Sequence, residues 1–144
     1  MRENFEKAVA FTILKETGGN PNGGYTNNAL DPGGETKWGI SKRYHPDVDI
    51  KNLTEEGAKT IYLSEYWIKA GCDSLPWPLD MVVFDSAVNP GIGFALETLR
   101  TTRDFRSFLL ARAAYYLDRV KENPKALVSL HGWLQRICDL WRAV

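Results

Sequence analysis

The residue with the clearest chemical potential is Glu16, an acid at the end of an apolar segment. Continuing the helical stripe of that segment by one turn reaches Glu16, so its carboxylate is expected on the inward face. Gly18 and Gly19 follow, and glycine just past the last periodic residue is typical of a helix end. The residues that form the stripe are Phe5, Ala8, Val9, Thr12 and Ile13.

Two effects act on Glu16 in the same direction in this arrangement. Burial disfavours the charged form of a carboxyl group, and so does the negative end of the helix dipole. A carboxyl group kept protonated near neutral pH is suited to general acid catalysis of glycoside cleavage. The alternative is that Glu16 turns outward as an ordinary solvated helix end, and periodicity alone leaves both readings open.

Length and composition predict one domain of ordinary globular character. The chain has 144 residues, with 18 Lys and Arg against 18 Asp and Glu, so its formal net charge is zero. No strong overall field favours nucleic acid or a membrane surface as the partner. The first 16 residues carry acids within their apolar run, which excludes a signal peptide or a stable membrane insertion there. We therefore expect synthesis in the cytoplasm.

The sequence gives no sign of a metal or a cofactor. Cys72 and Cys138 are too few for a disulfide scaffold, lack metal-site spacing, and are expected to be buried free thiols. His45 and His131 are isolated in the sequence. No phosphate loop or nucleophile elbow is present either.

Four segments position the candidate residues. Asp31 to Gly34 fits a tight turn, and the alternation that follows, through Ile40, predicts a short strand in a small hairpin. Thr54 is a plausible N-cap for a helix that runs to about Lys69 and ends at Gly71. Residues 79–89 are apolar on nearly every side and predict a buried central helix. Asp85 and Asn89 are four residues apart, hence on one face of that helix.

Three further helices are expected after the central one, at about 93–102, 104–120 and 125–141. The fold class is therefore mainly α (α+β), a helical bundle around a buried central helix with one small β-hairpin near the N-terminus. We expect a single domain over 1–144. Its hairpin lobe would span about 17–53 and its helical lobe about 54–144.

The order of the motifs resembles a known family. A helix-end Glu16 is followed by Asp31-Pro32-Gly33-Gly34-Glu35-Thr36 and Trp38-Gly39-Ile40-Ser41, then by Phe84 to Gly91 and by Gly132-Trp133-Leu134-Gln135-Arg136. This order resembles the lysozyme superfamily and, more narrowly, the N-acetylmuramidases of glycoside hydrolase family 108, common as phage endolysins. The chain departs from the family pattern at Thr17 and in the longer segment from Gly18 to Gly24.

The resemblance implies three catalytic roles. Glu16 matches the general acid, Asp31 matches the carboxylate that activates water or stabilises the oxocarbenium-like state, and Thr36 matches the hydroxyl that holds the attacking water. Glu35 is the rival second carboxylate, but alternation on the strand turns it away from Thr36. The alternatives stay open: Asp31 as a residue that only initiates the turn, and Thr36 as a purely structural strand residue.

Five further residues are candidates for substrate binding. Tyr25, Trp38 and Tyr44 could offer flat faces to sugar rings, although core packing is the commoner fate of tryptophan. Asp85 and Asn89 either line the cleft or tie the buried helix to the hairpin. The sequence favours neither of these two alternatives.

The resemblance implies a peptidoglycan hydrolase of the lysozyme and endolysin type. It would cleave the β-1,4 bond between N-acetylmuramic acid and N-acetylglucosamine, without a cofactor and as a monomer. An inverting outcome is our hypothesis, because a water held by Thr36 needs room between the two carboxyl groups. The alternatives are a lytic transglycosylase and a non-catalytic wall-binding or secretion-accessory module. Release through a holin-type pore in phage lysis, or through a bacterial secretion system, would give access to the wall and an antimicrobial effect.

Overall fold

Helix α1 (Arg2–Thr17) contains the predicted apolar stripe and places Glu16 in its last turn. The computed structural model describes residues 2–144, so Met1 of the predicted domain lies outside the described residues. Gly18 and Gly19 both adopt positive φ just past the helix end, as the sequence predicts. Phe5, Ala8, Val9, Thr12 and Ile13 are all buried, which confirms the inward face.

A three-stranded antiparallel sheet follows, where the sequence predicts one hairpin. Its strands are β1 (Thr26–Asn27), β2 (Glu35–Lys37) and β3 (Ile40–Ser41), in that spatial order. The predicted continuous strand through Ile40 is wrong because the chain reverses within it. Trp38 and Gly39 have φ of 55° and 77°, and two positive-φ residues in a row are typical of a two-residue hairpin turn.

The second helical region matches the predicted start but not the predicted regularity. Thr54 caps helix α2 (Glu55–Tyr62), accepting a hydrogen bond from the Gly57 amide. The helix then widens into a π-helical segment, Leu63–Ile68, before a short 3₁₀ turn at Cys72–Ser74. Gly71 ends it with a φ of 70°.

Helix α3 (Leu79–Ser86) is the centre of the molecule, and all eight of its residues are buried. It packs against α1 and against two later helices, α4 (Ile92–Thr101) and α5 (Phe105–Glu122). A second π-helical segment, Ala87–Gly91, joins α3 to α4. The stretch Leu79–Thr101 is apolar and long enough to span a membrane, but much of it is buried inside the protein, as expected of a core helix.

Helix α6 (Leu127–Ala143) closes the chain, after a 3₁₀ turn at Pro124–Ala126, and packs against α5. The fold is thus α+β and lysozyme-like, helices around a buried centre with a small sheet. Cys72 is buried as expected, and burial raises the pKa of its thiol to about 12. The same expectation is wrong for Cys138, which is exposed on α6.

Candidate active site

Glu16 lies partly buried at the end of α1, with 23% of its side chain exposed. The turn between β2 and β3 approaches it so closely that a Cβ on Gly39 would lie 2.7 Å from the Cβ of Glu16. The same Cβ would lie 2.3 Å from the hydroxyl of Tyr62, which donates a hydrogen bond to the Trp38 carbonyl at 2.9 Å. Only glycine fits at this contact, so the sheet and α2 together fix the stem of Glu16.

The carboxylate of Glu16 is held by a residue from the other end of the chain. Nη1 of Arg136, on α6, donates to Oε1 of Glu16 at 2.6 Å. The sequence argument considered only burial and the helix dipole, and it gave Arg136 no contact with Glu16.

Arg136 is itself fixed by a buried carboxylate. Its Nη2 and Nε donate to the two oxygens of Asp85 at 2.7 and 3.1 Å. Arg112, on α5, donates to the same carboxylate at 2.8 Å, and the Thr12 hydroxyl does so at 2.9 Å. Burial acts to raise the pKa of Asp85, but the two arginines outweigh it and lower the pKa to about 2. Burial likewise opposes the charge of Arg136, and Asp85 and Glu16 more than compensate, raising its pKa.

The network corrects the substrate-binding prediction for Asp85. Its side chain is 0% exposed, and all the contacts described above are to protein groups, so a sugar cannot reach it. Asp85 instead ties α3 to α1, α5 and α6, and not to the hairpin. It is a positioning residue for Arg136 and, through it, for Glu16.

Asn89 also departs from its predicted placement. Its backbone leaves the helical region, with φ of −144° and ψ of 115°, so it does not continue the face that carries Asp85. Its side-chain oxygen accepts from the Tyr116 hydroxyl at 2.8 Å, and that hydroxyl accepts from Arg112. Asn89 and Asp85 are thus joined through Arg112 and Tyr116 rather than by helical spacing.

Glu16 opens into a groove of about 470 Å³. Both π-helical segments contribute to its walls, and π-helical turns are frequent at functional sites. The groove is also lined by other polar and charged groups that could bind a hydrated ligand. The residues that line the groove include Glu16, Ser41, Tyr44, His45, Glu65, Tyr66 and Lys69.

Comparison with known proteins identifies the family. The glycosyl hydrolase 108 family model matches residues 14–91, which is more than half of the chain. The chain belongs to the glycosyl hydrolase 108 family. A solved structure titled as that of Brucella abortus SagA is similar in fold, with a TM-score of 0.75 and 24% identity over 99% of this chain and 95% of that chain. No curated protein matches the chain.

The matched region of this glycosyl hydrolase contains all three predicted catalytic residues. The structure brings Asp31 and Thr36 together beside Gly33, where an added Cβ would lie 3.3 Å from Oδ1 of Asp31 and 4.0 Å from Oγ1 of Thr36. Among the residues described, those that line the groove include Glu16 but neither Asp31 nor Thr36. Oδ1 of Asp31 accepts from the amide of Gly33 at 2.9 Å, so the carboxylate closes its own turn. Thr36 pairs with Ser41 across β2 and β3, and directly paired residues of antiparallel strands share a face. Because Ser41 lines the groove, the Thr36 side chain lies on the sheet face that leads to it.

The three predicted aromatic residues occupy different environments. Tyr44 lines the groove and is 72% exposed, so its ring can meet a ligand. Trp38 is buried, and its indole N–H donates to the Leu53 carbonyl at 3.0 Å. The prediction that Trp38 binds substrate is therefore wrong, because its ring belongs to the core. Tyr25 is exposed, and its hydroxyl donates to Glu35 at 3.1 Å, so it closes the sheet edge rather than lining the groove.

The sequence analysis did not identify Glu65, Tyr66 and Lys69 as residues that line the groove. Glu65 and Tyr66 lie on the π-helical segment, and Lys69 pairs with Glu65 through an ion pair. The hydrogen bond from Lys69 lowers the pKa of Glu65. Burial lowers the pKa of His45, which lies 3.4 Å from the Tyr66 hydroxyl.

A signal for Glu65 was present in the sequence. Like Glu16, it interrupts the apolar face of a helix, the one marked by Ala58, Ile61, Tyr62 and Ile68. The geometry thus brings a second carboxylate to the groove of Glu16, one that motif matching does not indicate. Within residues 2–144, no group of three or more His, Cys, Asp or Glu side chains is placed to hold a metal ion.

Proposed function

We propose that this glycosyl hydrolase is a peptidoglycan N-acetylmuramidase that cleaves the β-1,4 bond between N-acetylmuramic acid and N-acetylglucosamine. The observation that carries the proposal is the placement of Glu16. Among the described residues that line the groove, Glu16 is the carboxylate that accepts a hydrogen bond from Arg136. Arg136 is buried and donates two further hydrogen bonds to Asp85. A rigidly held acid beside an open groove meets the geometric requirement for general acid catalysis.

In the proposed reaction Glu16 gives its proton to the glycosidic oxygen as the bond from that oxygen to the anomeric carbon breaks. A water oxygen bonds to the anomeric carbon, and a second carboxylate takes the proton of that water. Arg136 stabilises the Glu16 carboxylate that remains.

The identity of the second carboxylate rests on two different arguments. Asp31 is our proposal because the motif resemblance assigns it, with Thr36 holding the water on the face shared with Ser41. Glu35 stays the rival that the sequence offers, and Glu65 is a further rival because it lines the groove. An inverting outcome is proposed with Asp31, because a water held by Thr36 would need room between the two carboxyl groups.

The biological setting is proposed on the same basis. We propose peptidoglycan glycan strands as the partner, a monomer as the working state, and neither nucleic acid nor stable membrane insertion. The chain would reach the wall from the cytoplasm through a holin-type pore in phage lysis or through a secretion system. Its antimicrobial effect would follow from wall cleavage.

Mass spectrometry of products from purified peptidoglycan tests the proposal. Reducing N-acetylmuramic acid ends are the expected result, and Glu16→Gln is the matched inactive control. Anhydro ends would assign a lytic transglycosylase instead. Retention on insoluble wall without any released fragment would assign a non-catalytic wall-binding or accessory module. Proton NMR of the fresh product would report the anomer, and a retained configuration would contradict the inverting hypothesis.

A further inference from the structure

The groove contains a pair of opposite charges that the proposed reaction does not use. Glu65 and Lys69 both line the groove, and their side chains form an ion pair at i,i+4 spacing. The Lys69 side chain is 55% exposed and that of Glu65 is 42% exposed, so both charged groups are accessible to a ligand. The proposed reaction assigns the acid to Glu16 and the base to Asp31, and it leaves this pair without a role.

The pair lies in the same part of the groove as the proposed proton donor. Tyr66, which follows Glu65 in the chain, lines the groove with both carboxylates. Burial raises the pKa of the Tyr66 hydroxyl, and the charges of Glu16 and then Glu65 raise it further, so both carboxylates act on one phenol. Three extended residues of peptide span about 10 Å. A short peptide attached to a sugar bound at Glu16 can therefore reach Glu65 and Lys69.

Apolar groups line the groove beside this pair. They come mainly from the π-helical segment Ala87–Gly91, which contacts the other π-helical segment, Leu63–Ile68. Glu65 lies within Leu63–Ile68, and Lys69 follows that segment directly. The groove thus combines an apolar surface with two charges of opposite sign. The apolar lining residues are Ala87, Val88, Pro90 and Ile92.

The sugars of peptidoglycan carry no charge that this pair could bind. They present hydroxyl and N-acetyl groups, and the acid of N-acetylmuramic acid is joined as an amide to the peptide stem. The stem carries free carboxylates, alanine methyl groups and, where its third residue is a diamino acid, an ammonium group. Opposite charges attract, and methyl groups gain from leaving water. The combination of charges and apolar surface therefore matches the stem rather than the glycan.

The ion pair within the protein does not prevent a ligand from binding. A Glu followed by a Lys at i,i+4 spacing on an exposed helix surface contributes less than one good hydrogen bond. Both side chains have long, flexible stems, so each head group can leave its partner and meet a charge on the ligand at little cost.

We infer that Glu65 and Lys69 bind the peptide stem of the muramyl unit, with Lys69 on a stem carboxylate and Glu65 on a stem ammonium group. The apolar lining contacts the methyl groups of the stem. The pair is thus a specificity determinant, which makes the protein prefer glycan strands that carry stems over strands that do not. This inference rests on the proposed function, since it takes the N-acetylmuramic acid unit bound at Glu16 as the point of attachment of the stem.

Lys69→Met tests the stem site, because it removes the charge and keeps the length of the side chain. The substrates are soluble glycan strands that carry uncrosslinked stems, and the same strands after an amidase has removed the stems. On stem-bearing strands we expect kcat/KM to fall about fivefold through a higher KM, the loss of one exposed charged contact. On stripped strands the rate should stay native.

Lys59→Met is the matched control. Lys59 forms the same kind of i,i+4 pair with Glu55 on α2, at 3.2 Å, and neither residue is among the described residues that line the groove. This variant should leave the rate on both kinds of strand unchanged.

Exchange of the two charges separates ligand binding from a structural role. The double variant Glu65→Lys with Lys69→Glu keeps an ion pair on the helix but reverses the charges that a ligand meets. We expect a loss of at least fivefold on stem-bearing strands. A native rate would show that the pair only supports its helix, and the inference would be overturned.

Equal losses for Lys69→Met on both kinds of strand would also overturn the inference, because the pair would then act on the glycan or on the reaction. Glu16→Gln in the same assay separates the two proposals. If it retains activity, the proposed function fails, whereas its inactivity beside a native rate for Lys69→Met on stem-bearing strands rejects the stem site alone. Thermal melting checks folding, and should Lys69→Met not fold, Lys69→Gln takes its place.

Inhibition by the free stem peptide decides the case in which the native protein cuts only stem-bearing strands. We expect the peptide to inhibit the native protein and Lys69→Met to need about fivefold more of it. Equal inhibition of the two proteins would overturn the inference.

Discussion

Glu16 and Asp31 are proposed to share one reaction, yet the two regions that carry them are built very differently. Glu16 is held by Arg136, 120 residues away, and behind it by a carboxylate buried among three helices. Asp31 bonds to the amide two residues on, within an exposed turn. The comparison teaches that the proposed proton donor is fixed by contacts between distant parts of the chain, whereas the proposed base is held by a hydrogen bond within its own turn.

The largest expected effect is on catalysis by Glu16. Glu16→Gln keeps the size of the side chain and an oxygen for Arg136, but removes the transferable proton. We expect kcat to fall by about 10²–10⁴-fold, the usual contribution of a general acid. Turbidity loss of a wall suspension measures the rate, with circular dichroism as the folding control. A rate within about threefold of the native one would remove Glu16 from the mechanism.

The next effect concerns the network behind Glu16. Asp85→Ala leaves Arg112 and Arg136 buried without their shared carboxylate, and such a loss costs about 3–5 kcal/mol. Asp31→Ala, in the exposed turn, should cost about 1 kcal/mol or less. Urea unfolding of both variants measures the contrast. Equal losses of unfolding free energy would show that the two regions are not held as differently as the contacts indicate.

Substitutions at Asp31 and Glu65 test which of these two carboxylates acts as the base. Asp31→Asn keeps the oxygen that closes the turn and removes only the charge, so any loss of rate reports chemistry. We expect about a hundredfold loss of kcat for Asp31→Asn and less than tenfold for Glu65→Gln. The reverse order, measured on the same wall suspension, would transfer the role of base to Glu65 and undermine the inverting hypothesis.

Acid should destabilise the helical region through Asp85. Its folded-state pKa, about 2, lies below the ordinary value of 3.8, so its contribution to stability is present above about pH 4. That contribution disappears as the pH falls through the folded value, and it amounts to roughly 2 kcal/mol. Urea midpoints between pH 5 and pH 2 measure the loss. Asp31→Asn should show the same acid dependence as the native chain; a flattened profile in that variant would assign the acid sensitivity to the turn.

The smallest effect is expected at the sheet edge. Tyr25→Phe removes the hydroxyl that bonds to Glu35 on the surface, and the free energy of unfolding should change by about 0.5 kcal/mol or less. Thermal melting is sufficient to measure it. A loss several times larger would mean that the sheet region is more rigid than its short strands suggest.

Much of the fold follows from local pattern. The stripe that ends at Glu16, the Thr54 cap and the all-round apolar run from Leu79 each depend on neighbours in sequence, and each prediction is confirmed. The turn at Trp38 and Gly39 was missed because tryptophan rarely adopts positive φ, so alternation suggested an unbroken strand.

The site was less predictable because its contacts are distant in sequence. Nothing local to Arg136 indicates that it bonds to Glu16, and nothing local to Asp85 indicates two arginine partners. The sequence placed Glu16 on a stripe expected to face inward and Asp85 in a helix expected to be buried, but it did not show which groups either carboxylate meets. Glu65 was visible as an acid on an apolar face, yet only the folded chain shows that its face borders the groove.

The ion pair between Glu16 and Arg136 joins the first helix to the last. A ribosome has to synthesise α6 before this link can form, and removal of α6 would leave the proposed proton donor, Glu16, without the arginine that holds it.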